Sequence, residues 1–413
     1  MKRTVLILFT LLIRITCFGQ VINSTIERDI IHSDILNDDS EISVYLPPSY
    51  SATNQNFPVL YILDGDYNFF YVSGLLELQS SISENIPEMI LIGISGKGSE
   101  TYRTNCKPNI DTIKGKGNAD QYADFIETEL VPFVNTKYRT SNYKLLAGHS
   151  AGGLFIMNTV LQKPNAFNAY IAISPSLWWE KNVMNDVAIQ TFKSNPNFSS
   201  NVYVSLANEK GMGVDKFLEV VKDNNISDSV FKFKHFPDEN HNSVGLPTYL
   251  WALKDIFIPW KGEKEYFEKT SELKDYHTNM LKAYGSAFNI QNSLLMYTIY
   301  VLREDAAELE KMQAEIKQLY PEAVAKFDNF WVQRLISMDK NAEAEALLQK
   351  SIKEHPDFFD SYNTLSKLKL KNKEFKIAEG LINKGIELAI TQKARQWQLN
   401  ELLETKEKIE AAD

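Results

Sequence analysis

The stretch YKLLAGHSAGGL at residues 143–154 decides how this chain is interpreted. Residues 143–147 form an apolar run, Gly148-His149-Ser150-Ala151-Gly152 follows, and a helix-like run extends from Leu154 to Gln162. This order predicts a strand, a sharp turn and a helix, with Ser150 exposed at the apex of the turn. Glycine neighbours let the strand and the helix approach closely, and the helix N-terminus would stabilise an oxyanion formed there. The sequence therefore predicts that Ser150 is a nucleophile.

A nucleophilic serine needs a base that accepts its proton, and the base needs a third group that orients it. After a serine turn of this kind, the acid comes next in the chain and the histidine comes last. His241 lies in the polar, turn-prone segment 236–244, directly after the alternating strand predicted at 230–236. The other histidines that follow Ser150 lie in a strand or in helical segments. His241 is therefore the predicted general base, with an ordinary surface histidine as the alternative.

The orienting acid is expected at the end of another strand, between the serine and the histidine. Residues 201–206 form such a strand, and Ala207-Asn208-Glu209-Lys210-Gly211 follows it. Glu209 is the predicted acid and Asp215 is the alternative. A solvated carboxylate without a catalytic role is the competing interpretation of Glu209.

An oxyanion hole is expected from two backbone N–H groups. One belongs to Ala151, the residue after the nucleophile, and the other comes from the end of an earlier strand. Residues 57–63 form a nearly continuous apolar run, as in a buried central strand, and Asp64-Gly65-Asp66-Tyr67 follows it. The second N–H group is therefore predicted at Asp66 or Tyr67.

Metal and cofactor sites are not predicted. Histidine and acidic residues cluster at 235–241, but the chain has no metal-ligand spacing such as H-E-x-x-H, and Lys114-Gly115-Lys116-Gly117 lacks the preceding strand of a phosphate-binding loop. The expectation is a catalytic site that uses no metal and no cofactor.

The N-terminus has the pattern of a signal peptide. Lys2-Arg3 precedes an apolar run at residues 4–13 that is too short to span a bilayer, and the small residues Cys17 and Gly19 precede a cleavage point. Residues 1–19 are therefore predicted to be removed, with export to the periplasm or the medium. A buried N-terminal helix and a lipoprotein attached at Cys17 are the alternatives.

The charge of the mature chain restricts its partners. Removal of residues 1–19 takes away three positive charges and no negative ones, so the formal net charge changes from −9 to −12. This balance argues against nucleic acids and anionic membrane surfaces as partners. Cys106 is then the only cysteine, so no internal disulfide is expected, and no transmembrane segment is predicted in the mature chain.

Two regions follow the predicted signal peptide. Strands alternate with helices in residues 20–262, which predicts an α/β fold with a mostly parallel sheet. The predicted strands of this alternation span residues 57–63, 89–94, 143–147, 169–173, 201–206 and 230–236. Residues 263–413 are predicted to be all-helical. Because no catalytic candidate lies beyond residue 260, the helical part is expected to be separable.

The helical region contains a repeat. Small, apolar and small residues at positions 344, 348 and 351 recur 34 residues later at 378, 382 and 385. This pattern is typical of the second helix of a tetratricopeptide unit, and Tyr362 and Leu365 fit the first helix. The alternative is an amphipathic helical bundle with a coincidental period.

Four separated motifs carry a resemblance to a known family. They are GHSAGG at 148–153, DGD at 64–66, SPSLWW at 174–179 and ENHNSV at 239–244. Together they resemble the "putative esterase" family of α/β-hydrolases over residues 25–260, and SPSLWW is most similar to its siderophore-esterase branch. The helical region also resembles the tetratricopeptide extension of some bacterial members.

The resemblance implies an α/β-hydrolase fold and an exported carboxylic ester hydrolase that forms an acyl-enzyme on Ser150, with His241 as base. Some siderophore esterases work with a dyad, which leaves the role of Glu209 open. Siderophore lactones and acyl esters of plant polysaccharides are the implied small-molecule substrates. The expected substrate-binding residues are Arg103, Trp178, Trp179 and Tyr67, with core packing as the alternative for the tryptophans.

Two other functions fit the same sequence. An acyltransferase would use the same acyl-enzyme and pass the acyl group to an alcohol. A non-catalytic binding module would dock a protein partner through the helical repeats.

Overall fold

The computed structural model describes residues 25–110 and 117–412. The predicted signal peptide, including Cys17, lies outside the described residues. The chain divides into two compact units, one from Ser24 to Leu348 and one that includes Gln349 to Asp413.

The first unit contains an eight-stranded sheet. Its strands are β1 (Thr25–Ser33), β2 (Asp38–Leu46), β3 (Phe57–Ile62), β4 (Ile90–Ile94), β5 (Thr140–His149), β6 (Ala169–Ile173), β7 (Val202–Ala207) and β8 (Phe231–Phe236). They are arranged in the order β1-β2-β4-β3-β5-β6-β7-β8. The β1–β2 and β2–β4 pairs are antiparallel, and all pairs from β4 to β8 are parallel. The predicted α/β class and the mostly parallel sheet are confirmed.

Helices cover both faces of the sheet in the first unit. They are α1 (Gly65–Glu77), α2 (Ser99–Cys106), α3 (Ala119–Phe125), α4 (Val131–Lys137), α5 (Ala151–Gln162), α6 (Trp179–Ser194), α7 (Val214–Asp223), α8 (Gly245–Ile256), α9 (Ile258–Lys261), α10 (Thr270–Tyr284), α11 (Asn292–Val301), α12 (Ala306–Leu319) and α13 (Val324–Ser337). Helix α14 (Asn341–Glu354) crosses the division between the units.

Alternate residues of each central strand enter two different hydrophobic cores. In β3, Val59 and Tyr61 belong to a first core that includes side chains of α2 to α7, whereas Leu60 and Ile62 belong to a second core with α1 and α8. Burial on both faces explains why β3 and β4 are continuously apolar and every residue in them is buried.

The parallel strands end at one edge of the sheet. Leu63, Ser150, Ser174, Asn208 and Pro237 directly follow β3, β5, β6, β7 and β8 in the sequence. In open parallel sheets, ligands bind in the crevice outside these carboxyl ends. The predicted site residues therefore leave the sheet at this edge.

The second core continues into helices beyond residue 262. The ring of Tyr143 on β5 lies 5.0 Å from that of Tyr284 on α10, and the Trp260 indole N–H donates to the Asn289 carbonyl over 3.0 Å. Apolar side chains from α10, α11, α12 and α13 are buried in this same core. The predicted boundary at residue 262 does not coincide with the division after Leu348, and apolar side chains between Phe267 and Phe327 belong to the core on one face of the sheet.

In the described part of the chain, three α-helices follow α14. The helices are α15 (Phe359–Lys371), α16 (Phe375–Thr391) and α17 (Gln396–Glu410). Ala378 and Ile382 are fully buried, and a Cβ at Gly385 would lie 2.9 Å from the Leu402 side chain. The small residues of the predicted repeat therefore permit close helix packing, while the tetratricopeptide assignment stays a prediction.

The shared core leads to a different expectation for truncation than the sequence alone. A chain ending at Gly262 should lose the helices that cover the sheet face on which Tyr143 lies. Each large apolar side chain exposed in this way should lower the free energy of unfolding by roughly 1.5–3 kcal/mol. We expect this shorter chain to aggregate or to lose cooperative thermal unfolding, whereas a chain ending at Glu354 should stay soluble and unfold cooperatively. A Gly262-terminated chain with the unfolding midpoint of the longer chain would contradict this interpretation.

Candidate active site

Ser150 occupies a strained turn between β5 and α5. Its φ and ψ are 56° and −110°, a combination that side-chain-bearing residues rarely adopt. Its N–H donates to the Ile173 carbonyl at the end of β6 over 2.9 Å, and its carbonyl accepts from the Leu154 N–H over 3.0 Å. Neighbouring backbone therefore fixes the strained serine on both sides.

Glycines are required for this turn because two backbone segments approach closely. A Cβ at Gly148 would lie 2.6 Å from the Gly152 backbone, and one at Gly152 would lie 2.5 Å from the Tyr102 hydroxyl. The same addition at Gly153 would meet Pro175 Cα at 2.8 Å. The strand, the helix and the 174–176 turn thus pack directly on the serine turn.

The predicted base and acid come together from two separate loops. His241 Nδ1 lies 2.8 Å from Glu209 Oε2, and the two side chains are 33% and 17% exposed. The angle at the ring nitrogen does not meet hydrogen-bond geometry, a common condition of catalytic contacts in unliganded enzymes. The loops are also joined by a 2.9 Å hydrogen bond from the Asn208 N–H to the Glu239 carbonyl.

Asp215, the alternative acid, is in the first turn of α7 and its side chain is exposed. Of the two carboxylates, the structure brings Glu209 to His241.

His149 is a site residue that the sequence argument missed. Its ring centroid is 4.6 Å from that of His241, with 40° between the planes, so the base lies beside the residue that precedes Ser150. Burial, and then the nearby His241, lower the pKa of His149 to about 4, so its ring is neutral at pH 7. No spacing in the sequence predicts this contact, because it arises where the loop after β8 returns to the end of β5.

The backbone donors predicted for the oxyanion hole are available. The β3 end lies next to the serine turn, since the Leu63 N–H donates to the Ala147 carbonyl over 3.0 Å. Within residues 25–110 and 117–412, no acceptor takes the N–H of Ala151 or that of Asp66. The Tyr67 N–H, in contrast, donates to the Asp64 carbonyl over 3.1 Å. Of the two predicted candidates, Asp66 therefore retains the free donor.

The Asp66 side chain holds its loop in place. Its Oδ2 accepts from the Ser95 hydroxyl and from the Gly96 N–H, both over 2.8 Å. The preceding Asp64 has a left-handed backbone with φ of 53°. Burial, and then the neighbouring Asp66, raise the pKa of the Asp64 carboxyl. The two acidic residues thus fix the loop that presents the Asp66 N–H.

The predicted substrate-binding residues differ in their surroundings. Tyr67 and Trp178 are exposed, at 73% and 53%. The backbone of Trp178 lies close to Gly213, in the loop after β7, because a Cβ at Gly213 would be 2.8 Å from the Trp178 backbone. Trp179 is half-buried against the first core, and Arg103 is exposed at the last turn of α2. Trp178 thus lies beside the loop that carries Glu209, while Trp179 packs partly as a core residue.

A second residue that the sequence argument missed is Ser176. Its hydroxyl oxygen lies 3.3 Å from Ser150 Oγ. Ser176 belongs to the SPSLWW motif, whose resemblance gave no role to this serine.

In the described residues, no group of three or more histidine, cysteine or acidic side chains is arranged to hold a metal ion.

The low pKa of His149 predicts a pH dependence of stability. The unfolded chain takes up this proton near pH 6.5, whereas the folded chain does so near pH 4. The free energy of unfolding should therefore fall by about 3 kcal/mol as the pH falls from 6.5 to 4. His149→Gln should remove this loss, which denaturant unfolding at several pH values will measure. His32→Gln is the control, since Asp39 raises the pKa of the exposed His32 and its contribution has the opposite sign. An unchanged pH slope in His149→Gln would contradict the prediction.

Residues 33–221 match the sequence model of the family described as "Putative esterase". The ferri-bacillibactin esterase BesA of Bacillus subtilis is 28% identical over 152 residues, which cover 32% of this chain and 53% of the relative. The siderophore triacetylfusarinine C esterase of Aspergillus fumigatus is 30% identical over 131 residues, covering 30% and 45%. The chain thus spans about half the length of these curated relatives.

A solved structure supports the fold. An IroE-like serine hydrolase from Shewanella oneidensis superposes with a TM-score of 0.58 at 22% identity, covering 70% of this chain and 98% of the other. In the part of the chain that the structure describes, no helix is long and apolar enough to cross a membrane.

The Shewanella structure confirms the predicted α/β-hydrolase fold. The family model and the named relatives agree with the predicted class, a carboxylic ester hydrolase. Residues 33–221 are therefore similar to the "putative esterase" family, and the two named relatives are siderophore esterases.

Proposed function

We propose that the chain is an exported serine esterase that hydrolyses a carboxylic ester through an acyl-enzyme on Ser150. The observation that carries the proposal is the contact of His241 with Glu209, beside the strained serine turn. A base and an orienting acid that meet beside a strained serine turn are the groups that activation of a serine nucleophile requires. The signal-peptide pattern of residues 1–19 supports export.

Acylation begins when Ser150 Oγ attacks the ester carbonyl carbon and its proton passes to His241 Nε2. Glu209, beside Nδ1, orients the imidazole and stabilises the positive charge that it gains. The carbonyl oxygen takes the negative charge and accepts hydrogen bonds from the N–H groups of Ala151 and Asp66. The alcohol then leaves with the proton from His241.

Deacylation repeats these roles with water as nucleophile. His241 takes a proton from the water, the water oxygen attacks the acyl carbon, and the bond to Ser150 Oγ breaks. The carboxylic acid is released, and Ser150 recovers its proton from His241. No metal or redox step is needed in this sequence, since every proton is carried by a named group.

The relatives' names suggest the class of ester. One relative is a ferri-bacillibactin esterase and another acts on triacetylfusarinine C, so a siderophore lactone is the first candidate substrate. The exposed aromatic rings of Tyr67 and Trp178 offer faces to an apolar acyl or alcohol group. Arg103 supplies a positive charge to an anionic ligand. A plant-polysaccharide acyl ester is the second candidate, distinguished by a substrate screen.

Ser150→Ala should abolish turnover of a short-chain nitrophenyl ester, with a loss of several powers of ten in kcat. The reason is that no other group can form the acyl-enzyme. Wild-type protein should also be labelled by a fluorophosphonate probe and the variant should not, with unchanged thermal unfolding in both. Wild type that is inert to the probe and to all esters would favour a binding module. Product analysis with an added alcohol separates hydrolysis from acyl transfer.

Glu209→Gln should lower kcat by roughly 100-fold or more, because the imidazole loses the carboxylate that holds its tautomer and its charge. Asp215→Asn is the matched control, a nearby acid-to-amide change at an exposed site. Steady-state kinetics of both variants on one ester gives the comparison. Near-normal rates in both would mean that Ser150 and His241 act as a dyad or that another carboxylate orients His241.

A further inference from the structure

Ser176 has no part in the mechanism above, yet its hydroxyl lies beside the nucleophile. Ser176 Oγ is 3.3 Å from Ser150 Oγ, and the residue is only 9% exposed. Its backbone N–H also donates to the Ser150 carbonyl over 3.0 Å. The two serines are therefore joined through the backbone as well as through their side chains.

The turn that carries Ser176 is held firmly. Ser174 has a left-handed backbone with φ of 38°, and its hydroxyl accepts from the Ala207 N–H over 3.2 Å. Pro175 packs against Gly153 so closely that a Cβ there would lie 2.8 Å from Pro175 Cα. Strain of this kind persists where the surroundings fix the backbone, as they often do at active sites. The Ser176 hydroxyl is thus presented to Ser150 by a rigid segment.

The chemistry decides which hydroxyl donates. In the proposed mechanism the Ser150 proton passes to His241, so Ser150 Oγ is free to accept and Ser176 is the available donor. We propose that Ser176 is a further catalytic residue, whose hydroxyl donates a hydrogen bond to Ser150 Oγ and stabilises the negative charge that develops on this oxygen. This role rests on the proposed acyl-enzyme function.

The charge on Ser150 Oγ develops twice in each cycle. It builds up when the proton leaves for His241 and the bond to the acyl carbon forms, and again when that bond breaks in deacylation. Ser176 keeps its own proton in both steps, so the proton balance between Ser150 and His241 is unchanged. The 3.3 Å separation is long for a hydroxyl pair, and such contacts tighten as charge develops.

Ser176→Ala tests this role because it removes the hydroxyl and keeps the backbone N–H that binds Ser150. Loss of one such hydrogen bond corresponds to about a 10-fold fall in the acylation and deacylation rate constants, measured by stopped flow with a nitrophenyl ester. Ser176→Thr retains the hydroxyl and should recover most of the rate. Ser200→Ala is the matched control, since Ser200 is also buried and its hydroxyl donates to the Pro164 carbonyl over 2.7 Å.

The outcomes separate this proposal from the mechanism on which it rests. Wild type that the fluorophosphonate does not label would overturn the acyl-enzyme itself. Labelled wild type together with unchanged rates in Ser176→Ala would overturn only the role of Ser176. Equal losses in Ser176→Ala and Ser200→Ala, or no recovery in Ser176→Thr, would make the effect structural and also overturn it. If Ser176→Ala does not fold, Ser176→Cys decides. Its thiol is a weaker donor and should give a reduced rate, so a wild-type rate would overturn the proposal.

Discussion

The hydrogen bond from the Ser150 N–H to the Ile173 carbonyl is the interaction on which the site depends. It extends the parallel pairing of β5 and β6 by one residue, beyond the His149–Ile173 register, into the strained turn. A residue with positive φ costs on the order of 1–3 kcal/mol, which a fully buried central sheet can offset. Ser150 therefore owes its fixed, half-buried position to the most buried part of the fold.

The other proposed catalytic groups are linked to this point by loop-to-loop hydrogen bonds. The Ser174 hydroxyl accepts from the Ala207 N–H, two residues before Glu209, and the Asn208 N–H donates to the Glu239 carbonyl, two residues before His241. The loops after β6, β7 and β8 thus form a connected chain that leads from the serine turn to the acid and the base. Such connection fixes the loops that carry the three groups, while Ser150, Glu209 and His241 stay partly exposed.

The sequence predicted those features that depend on residues close together in the chain. The strands β3 to β7 contain apolar runs and β8 alternates, so their sequences were sufficient to predict them. The predicted site residues Ser150, Glu209 and His241 follow three of these strands. The contacts of His149 and Ser176 depend on which strands are neighbours, and that information is absent from any one segment. The boundary at residue 262 followed a change in composition. Composition counts charged residues but does not identify the buried stripe of α10, which includes Leu273, Tyr276 and Met280.

The helices that follow Ser150 and the His241 loop pack in two different cores. Helix α5, which follows Ser150, packs its apolar side chains entirely in the first core. Helix α8, which follows the His241 loop, packs in the second core together with α10 to α13. The elements that follow Ser150 and His241 are thus anchored on opposite faces of the sheet, and helices beyond residue 262 pack on the face that carries the His241 loop. Because a rate can fall by orders of magnitude for a displacement near 1 Å, we expect this helical cover to support the proposed catalysis by holding His241 in place.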